Sequence, residues 1–410
     1  MIESLNESLV TAAVDKAPHH LTEVLTHHLA STRFEAARQL ASLPGSNKFS
    51  RLHGHGFIVS AVVCSDVSGN ADVTTALQSM HKPYPGGDVP ALLATLAQHS
   101  ESLNYRSVNE VVSEPTDMNL AGWFGEQLQQ SGFAGRSGLL GVALQSTPDQ
   151  GVVLAMASDS LVWRRYRFQA AHQLPNVPPG HKCGRLHGHG FEVVLHAGSG
   201  GAVDYDTLDR AWEQVAGLLR YRCLNDISGL ENPTSEMLSS WIWQKLKPVV
   251  PSMKTVTVYE TASCGATFDG QFYRIWKDFT IDSAVRYRHA TDARAQVHGY
   301  TYTLRLHLSA PLDQVMGWTV DFGDVKEVFT PVFKSLDHHP LHQNAELASV
   351  SDGDTGSMAR WLFGKARDLL PQLVRVDLFE TEGCGSSVGT DLRGPILPLV
   401  RGISGDGLFR

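Results

Sequence analysis

The chain has 410 residues, 42% of them hydrophobic and 19% charged, with a formal net charge of -8, which describes a globular protein long enough for several cores. No block of like charge offers a field for nucleic acid, no apolar run reaches the roughly 20 residues of a membrane span, and residues 1–30 lack the basic and apolar regions of a leader, so a cytoplasmic protein without nucleic-acid or membrane partners is expected. Five cysteines without a C-x-x-C pair read as reduced thiols.

Along the chain the same landmarks recur three times, which is the mark of an internal repeat. In the first stretch His53-Gly54-His55 precedes Gly56-Phe57, and Thr116 lies seven residues before Trp123. In the second, His187-Gly188-His189 precedes Gly190-Phe191, and Thr234 lies seven before Trp241. In the third, His298-Gly299-Tyr300 is followed, one residue short of the pattern, by Thr355 and Trp361. The tryptophans are spaced by about 118 and 120 residues, close to a third of the chain.

The middle stretch predicts its elements most clearly. Tyr166 to Ala171 and Gly190 to Ala197 are β-forming runs, and Thr207 to Leu219 puts Leu208, Trp212, Val215 and Leu219 on one helical face. Asn232-Pro233-Thr234 supplies a turn and an N-cap for a second helix, with Glu236 in its first turn and Met237, Leu238, Trp241, Ile242 and Leu246 on its buried side. Thr255 to Thr261 and Ala266 to Ile275 read as two closing strands. The order ββααββ gives an α+β unit, an antiparallel four-stranded sheet with two helices on one face. Three such units pairing edge to edge would close into a barrel and leave no sheet edge exposed.

His187 and His189 lie two apart on a strand and so project to one face, with Gly188 adding no bulk between them. His172, near the end of the neighbouring strand, completes a set of three imidazoles, the ligand set of a catalytic zinc with an open position. Cys183 lies four residues before His187, where two cationic side chains and a metal would favour its thiolate as base or nucleophile.

With these motifs on the page, the middle stretch resembles the 6-pyruvoyltetrahydropterin synthase family and, within it, the 6-carboxytetrahydropterin synthase branch of queuosine biosynthesis. The resemblance rests on Phe168-Gln169-Ala170-Ala171-His172-Gln173-Leu174-Pro175, on residues 180–189, on residues 224–236 and on Glu260-Thr261. The outer stretches carry it in diluted form. It implies three tandem tunnelling-fold (T-fold) units: a degenerate one over 21–158, one with the zinc site over 159–275, one over 276–393, then a tail over 394–410. The three close into a pseudo-trimeric β-barrel, and two chains could stack as a homodimer of pseudo-trimers.

The same resemblance implies Zn2+ on His172, His187 and His189, a catalytic Cys183, and Glu260 as anchor for the guanidine-like edge of a pterin, with Thr234 and Glu236 helping to line the site. It also implies an Asp-His pair from a neighbouring unit. The middle unit has Arg220-Tyr221 where that pair belongs, whereas the third has Asp337-His338 but carries Val285, Arg294 and Tyr300 at the first-histidine, thiol and last-histidine positions. The first keeps His53 and His55, with Arg38, Phe49, Asn104-Tyr105 and Gln145 at the remaining positions. One composite site between units two and three follows, acting on 7,8-dihydroneopterin triphosphate and releasing acetaldehyde. A 6-pyruvoyl product, a hydrolase or aldolase on another pterin or a purine, and a non-catalytic zinc- or pterin-binding scaffold are the alternatives.

Overall fold

A computed structural model describes residues 24–64, 88–133, 138–200, 203–288, 290–351 and 353–392; the expected tail over 394–410 and residues 21–23 of the first unit lie outside them. Unit one comprises β1 (Leu25–Arg38), β2 (His53–Cys64), α1 (Asp88–Leu103), β3 (Arg106–Ser107), α2 (Asp117–Leu128), β4 (Leu139–Thr147) and β5 (Gln150–Ala155). Unit two comprises β6 (Leu161–His172), β7 (His187–Gly198), α3 (Tyr205–Leu219), β8 (Arg222–Cys223), α4 (Ser235–Leu246), β9 (Met253–Thr261) and β10 (Cys264–Phe268). Unit three comprises β11 (Tyr273–Val285), β12 (His298–Leu308), α5 (Phe322–Lys334), α6 (Ala345–Val350), α7 (Thr355–Leu369), β13 (Leu373–Thr381) and β14 (Cys384–Gly389).

The long strands pair antiparallel in the order β1, β2, β4, β5, β6, β7, β9, β10, β11, β12, β13, β14, and β14 returns to β1 with Leu25 opposite Gly389 and Leu29 opposite Gly385. Closure leaves this twelve-stranded ring without an edge. The two-residue β3 and β8 run parallel to β1 and β6 beyond the ends of β14 and β5. The fold is a T-fold barrel of three α+β units, as the repeat implied.

Alternation along each strand sends one set of side chains to the helices and the other to the lumen. On the helix side of unit two, Phe168 and Phe191 stack at 5.1 Å, and Leu208, Trp212, Leu238 and Ile242 close over them. Phe34 and Phe57 stack in the same way in unit one, at 4.9 Å. On the lumen side Val153, Trp163, Val194, Tyr259 and Trp276 form one buried cluster. Two of these are contributed by the strand that opens the following unit, and each indole lies on a glycine of the preceding hairpin, Trp163 on Gly151 and Trp276 on Gly265, where a Cβ would sit within 2.9 Å of the ring and closer still to a backbone carbonyl.

Several local expectations shift by a residue or more. The run Ala266 to Ile275 is not one strand: Asp269 accepts the amides of Gln271 and Phe272 and Gly270 takes φ 97°, so the chain turns there and Ile275 belongs to the first strand of unit three. The odd spacing at Thr355 also resolves. The N-caps of α2, α4 and α7 are Thr116, Thr234 and Asp354, each seven residues before its tryptophan, so Asp354 and not Thr355 is the counterpart of the other two.

Candidate functional site

At the upper end of unit two, β6 and β7 pair so that His172 faces His187, while His189 lies on the same face of β7. The ring centroids are 4.6 Å apart for His172 and His187, 5.1 Å for His172 and His189, and 5.0 Å for His187 and His189. Strand β9 sets Tyr259 opposite Glu192 and so delivers Glu260, the next residue, to the same spot. Oε1 of Glu260 lies 3.4 Å from Nε2 of His189 and 4.0 Å from Nε2 of His172. The four residues offer ligand atoms that all lie within 4.8 Å of one another.

The backbone aims the rings. Nδ1 of His172 meets the Pro233 carbonyl at 3.0 Å and Nδ1 of His187 meets the Arg185 carbonyl at 2.7 Å, so each Nδ1 carries the proton and each Nε2 lone pair faces inward. Nε2 of His172 and of His189 is buried without a hydrogen-bond partner; the oblique approach of Glu260 does not satisfy it. Burial lowers the pKa of His172, keeping it neutral. Burial opposes ionisation of Glu260, but contacts from His189 and the Ser235 hydroxyl, the latter at 2.7 Å, outweigh it and hold the carboxyl below its usual value. Buried, unpartnered imidazole nitrogens converging with a carboxylate fit a divalent ion of zinc type.

Cys183 sits half-buried in a 3-10 turn, Lys182–Gly184, beside this cluster. Without a metal, burial first, then the charges of Glu260 and Asp321, raise the thiol above its ordinary value against the opposing pull of Lys182. The chain's own groups do not activate this thiol; a cation in the histidine cluster would reverse the balance.

Thr234 and Glu236, expected to help line the site, are engaged by unit three. The β12–α5 loop of unit three lies across the N-terminus of α4: Thr234 donates to the Gly317 carbonyl, Asn232 to that of Met316, and Asn176 to that of Val315. Glu236 accepts the Thr319 amide at 2.8 Å and the Thr319 hydroxyl at 3.2 Å. Burial pushes the Glu236 carboxyl up to about 7. A carboxyl whose folded value lies above the unfolded value of 4.5 contributes stability that is fully present below about 4.5 and lost as pH rises through about 7. The metal-free chain is therefore expected to lose about 3 kcal/mol of stability across that window in denaturant titrations. Glu236→Gln, which keeps an acceptor for Thr319, flattens the dependence.

Asp337 and His338 occupy the edge of β11 on which β10 pairs further down, the edge that faces unit two. The His338 amide donates to the Asp282 carbonyl, Asp337 accepts the Asp282 amide, and Nδ1 of His338 lies 2.9 Å from Oδ2 of Asp337. That hydrogen bond raises the pKa of His338, whose side chain is 76% exposed. His338 holds the left-handed φ of 59°, and the counterparts Tyr105 and Tyr221 hold 56° and 57° with the same amide bond to β1 and β6. The turn thus presents an outward side chain in all three units, at a backbone cost. Among the described residues, no hydrogen bond or ion pair joins Asp337 or His338 to Cys183 or to the histidine cluster.

The outer units answer the same geometry with different chemistry. In unit one Arg38 stands opposite His53, where His172 stands opposite His187. Its Nη1 meets Oδ1 of Asp117 at 2.6 Å, both side chains being 4% exposed, and Oδ2 of Asp117 accepts Ser146 and, from unit two, Tyr205 at 2.6 Å. The register places Ser146, not Gln145, at the counterpart of Glu260, because Ile58 pairs with Gln145 as Glu192 pairs with Tyr259. Serine and acid have exchanged places: Ser235 donates to Glu260 in unit two, and Ser146 donates to Asp117 in unit one. In unit three Val285 ends β11 opposite His298, and Glu380 accepts Tyr287 at 2.9 Å, its pKa raised by burial.

A family model described as 6-pyruvoyl tetrahydropterin synthase matches the chain twice, over residues 161–271 and 274–390. The 6-carboxy-5,6,7,8-tetrahydropterin synthase of Synechocystis sp. is 35% identical over 120 residues, 26% of this chain and 92% of that protein. A putative 6-carboxy-5,6,7,8-tetrahydropterin synthase of Archaeoglobus fulgidus is 30% identical over 111 residues, 26% of this chain and 91% of its own. Among solved structures, 6-pyruvoyl tetrahydropterin synthase of Caenorhabditis elegans is 18% identical with a TM-score of 0.26, covering 28% of this chain and 94% of that one. No helix among the described residues is long and apolar enough to cross a membrane.

Proposed function

The chain belongs to the 6-pyruvoyl tetrahydropterin synthase family, and from that premise we propose that it is a zinc-dependent 6-carboxy-5,6,7,8-tetrahydropterin synthase, acting on 7,8-dihydroneopterin triphosphate in one composite site between units two and three. The observation that carries this reading is the triad of converging imidazoles, two of which, His172 and His189, have buried, unpartnered Nε2 atoms. The two curated relatives bearing the 6-carboxy name support the product. The three units are assigned to 21–158, 159–272 and 273–393, the last boundary moved from 275/276 to the start of β11, and the product to the synthesis of queuosine.

His172, His187 and His189 hold the zinc, which when bound polarises a substrate oxygen as a Lewis acid. Glu260 accepts two parallel hydrogen bonds from the guanidine-like edge of the pterin. Its place on the heterocycle is supported by Glu380, a buried carboxylate at the same position of a unit that lacks two of the three histidines. Cys183 takes a proton from the side chain of the substrate. His338, held toward its protonated form by Asp337, delivers one, and the bond from the Asp282 amide fixes the carboxylate that orients it.

The test is a direct assay of the zinc-loaded full chain with 7,8-dihydroneopterin triphosphate, reading acetaldehyde and the 6-carboxy product. Asp337→Ala and His338→Ala are expected to lower kcat by about 10²-fold or more, the usual worth of a positioned acid or base, with zinc content unchanged. Wild-type kcat in both variants would remove the pair from the site. A 6-pyruvoyl product without acetaldehyde would move the protein to the other branch of its family.

A further inference from the structure

The turn that carries Cys183 is built alike in all three units, with one difference. In each, the residue two positions before the thiol position accepts that position's amide: Asn47 for Phe49, Asp292 for Arg294, and His181 for Cys183 through Nδ1 at 3.2 Å. Asparagine and aspartate are ordinary residues for such a turn, and they serve in the two units that have no thiol. Unit two alone uses an imidazole, which has a second nitrogen. That nitrogen, Nε2, lies 3.5 Å from Oδ2 of Asp321, a residue of unit three, with both side chains mostly buried.

Asp321 is itself held rigidly. It is the N-cap of α5, and its Oδ1 accepts the amides of Gly323 at 2.6 Å and Asp324 at 3.2 Å, which leaves Oδ2 for His181. Trp318 of the same loop lies beside the imidazole, with ring centroids 6.1 Å apart. The Cys183 carbonyl is also tied, accepting the Leu174 amide at 2.8 Å. For Nδ1 to accept the Cys183 amide it must be unprotonated, so the ring proton sits on Nε2, the nitrogen nearest Asp321.

We propose that Asp321 and His181 form a positioning pair for Cys183: the carboxylate of unit three selects the His181 tautomer, and that tautomer fixes the turn that aims the thiol at the histidine cluster. The pair is separate from Asp337 and His338, and it rests on the reading of Cys183 as the reacting thiol. It makes the thiol of unit two depend on the docking of unit three.

Two conservative variants isolate the link. His181→Asn reproduces the acceptor that unit one uses at Asn47, so the turn survives while the reach to Asp321 is lost. Asp321→Asn retains a good N-cap for α5 but no longer dictates the tautomer. Each is expected to lower kcat about tenfold, the usual cost of a lost orienting partner, with KM nearly unchanged. The double variant is expected to be no worse than either single, because both cut one chain of contacts. Independently of turnover, iodoacetamide alkylation of Cys183, followed by peptide mass mapping across pH, should change by the same several-fold factor in both variants. Wild-type kcat and an unaltered alkylation profile in His181→Asn would overturn the pair and leave a plain turn cap. If the wild-type chain lacks the lyase activity, the alkylation arm still decides the pair, so the two failures are distinguishable.

Discussion

His172→Ala is expected to empty the metal site and lower kcat by roughly 10³-fold or more, since Lewis-acid stabilisation is worth several kcal/mol and each 1.36 kcal/mol is a factor of ten. His172 is 1% exposed and its Nδ1 is fixed by the Pro233 carbonyl, so alanine there removes the most buried and best oriented imidazole of the set. Metal analysis of the wild type is expected to give one zinc per chain, and of the variant none. His53→Ala supplies the control. His53 starts the same H-G-H motif in unit one, but there Arg38 occupies the third corner, with Nη2 3.3 Å from Nε2 of His55, and burial with the Arg38 charge pushes His55 down to about 4. Zinc content and kcat are expected to be unchanged in that variant. Two zincs per chain, or loss of zinc on His53→Ala, would sink the assignment of the metal to unit two.

That contrast shows what the sequence could reveal. The repeat, the barrel and the histidine triad were legible because each depends on local spacing: period-two strands, capped helices and two histidines flanking a glycine. The partners of Thr234 and Glu236 were not legible. Both look like helix-start residues, and only the β12–α5 loop, some 83 residues away in sequence, shows that they hold units together. His181 was passed over for the same reason, since its second contact, Asp321, belongs to another unit. Gln145 was set at the anchor position by counting, whereas strand register put Ser146 there. The burial that raises the Cys183 thiol was not legible either, because charge can be read from letters and burial cannot.

The largest effect on stability is expected in unit one, where Arg38 stands at the position of His172. Unit one has placed a guanidinium where unit two has an imidazole and has moved the carboxylate from β4 to the first residue of α2, so that Arg38 and Asp117 neutralise each other where unit two gathers its metal ligands. Arg38→Met leaves Asp117 buried with only two hydroxyl donors, Ser146 and Tyr205, and breaking such a pair from one side costs about 3–5 kcal/mol. Because Tyr205 belongs to unit two, the loss should appear as earlier, less cooperative unfolding with unit one separating from its neighbour. Arg38→Met combined with Asp117→Leu removes both charges together and is expected to recover most of that cost, since paired burial of charge gains little over an apolar filling. Thermal and denaturant unfolding of the two variants decides it. If Arg38→Met alone is within about 0.5 kcal/mol of wild type, the ion pair is ornamental and unit one is held by its phenylalanine core. If the double variant is as unstable as the single, the shape of the pair, and not its charge, closes the old site.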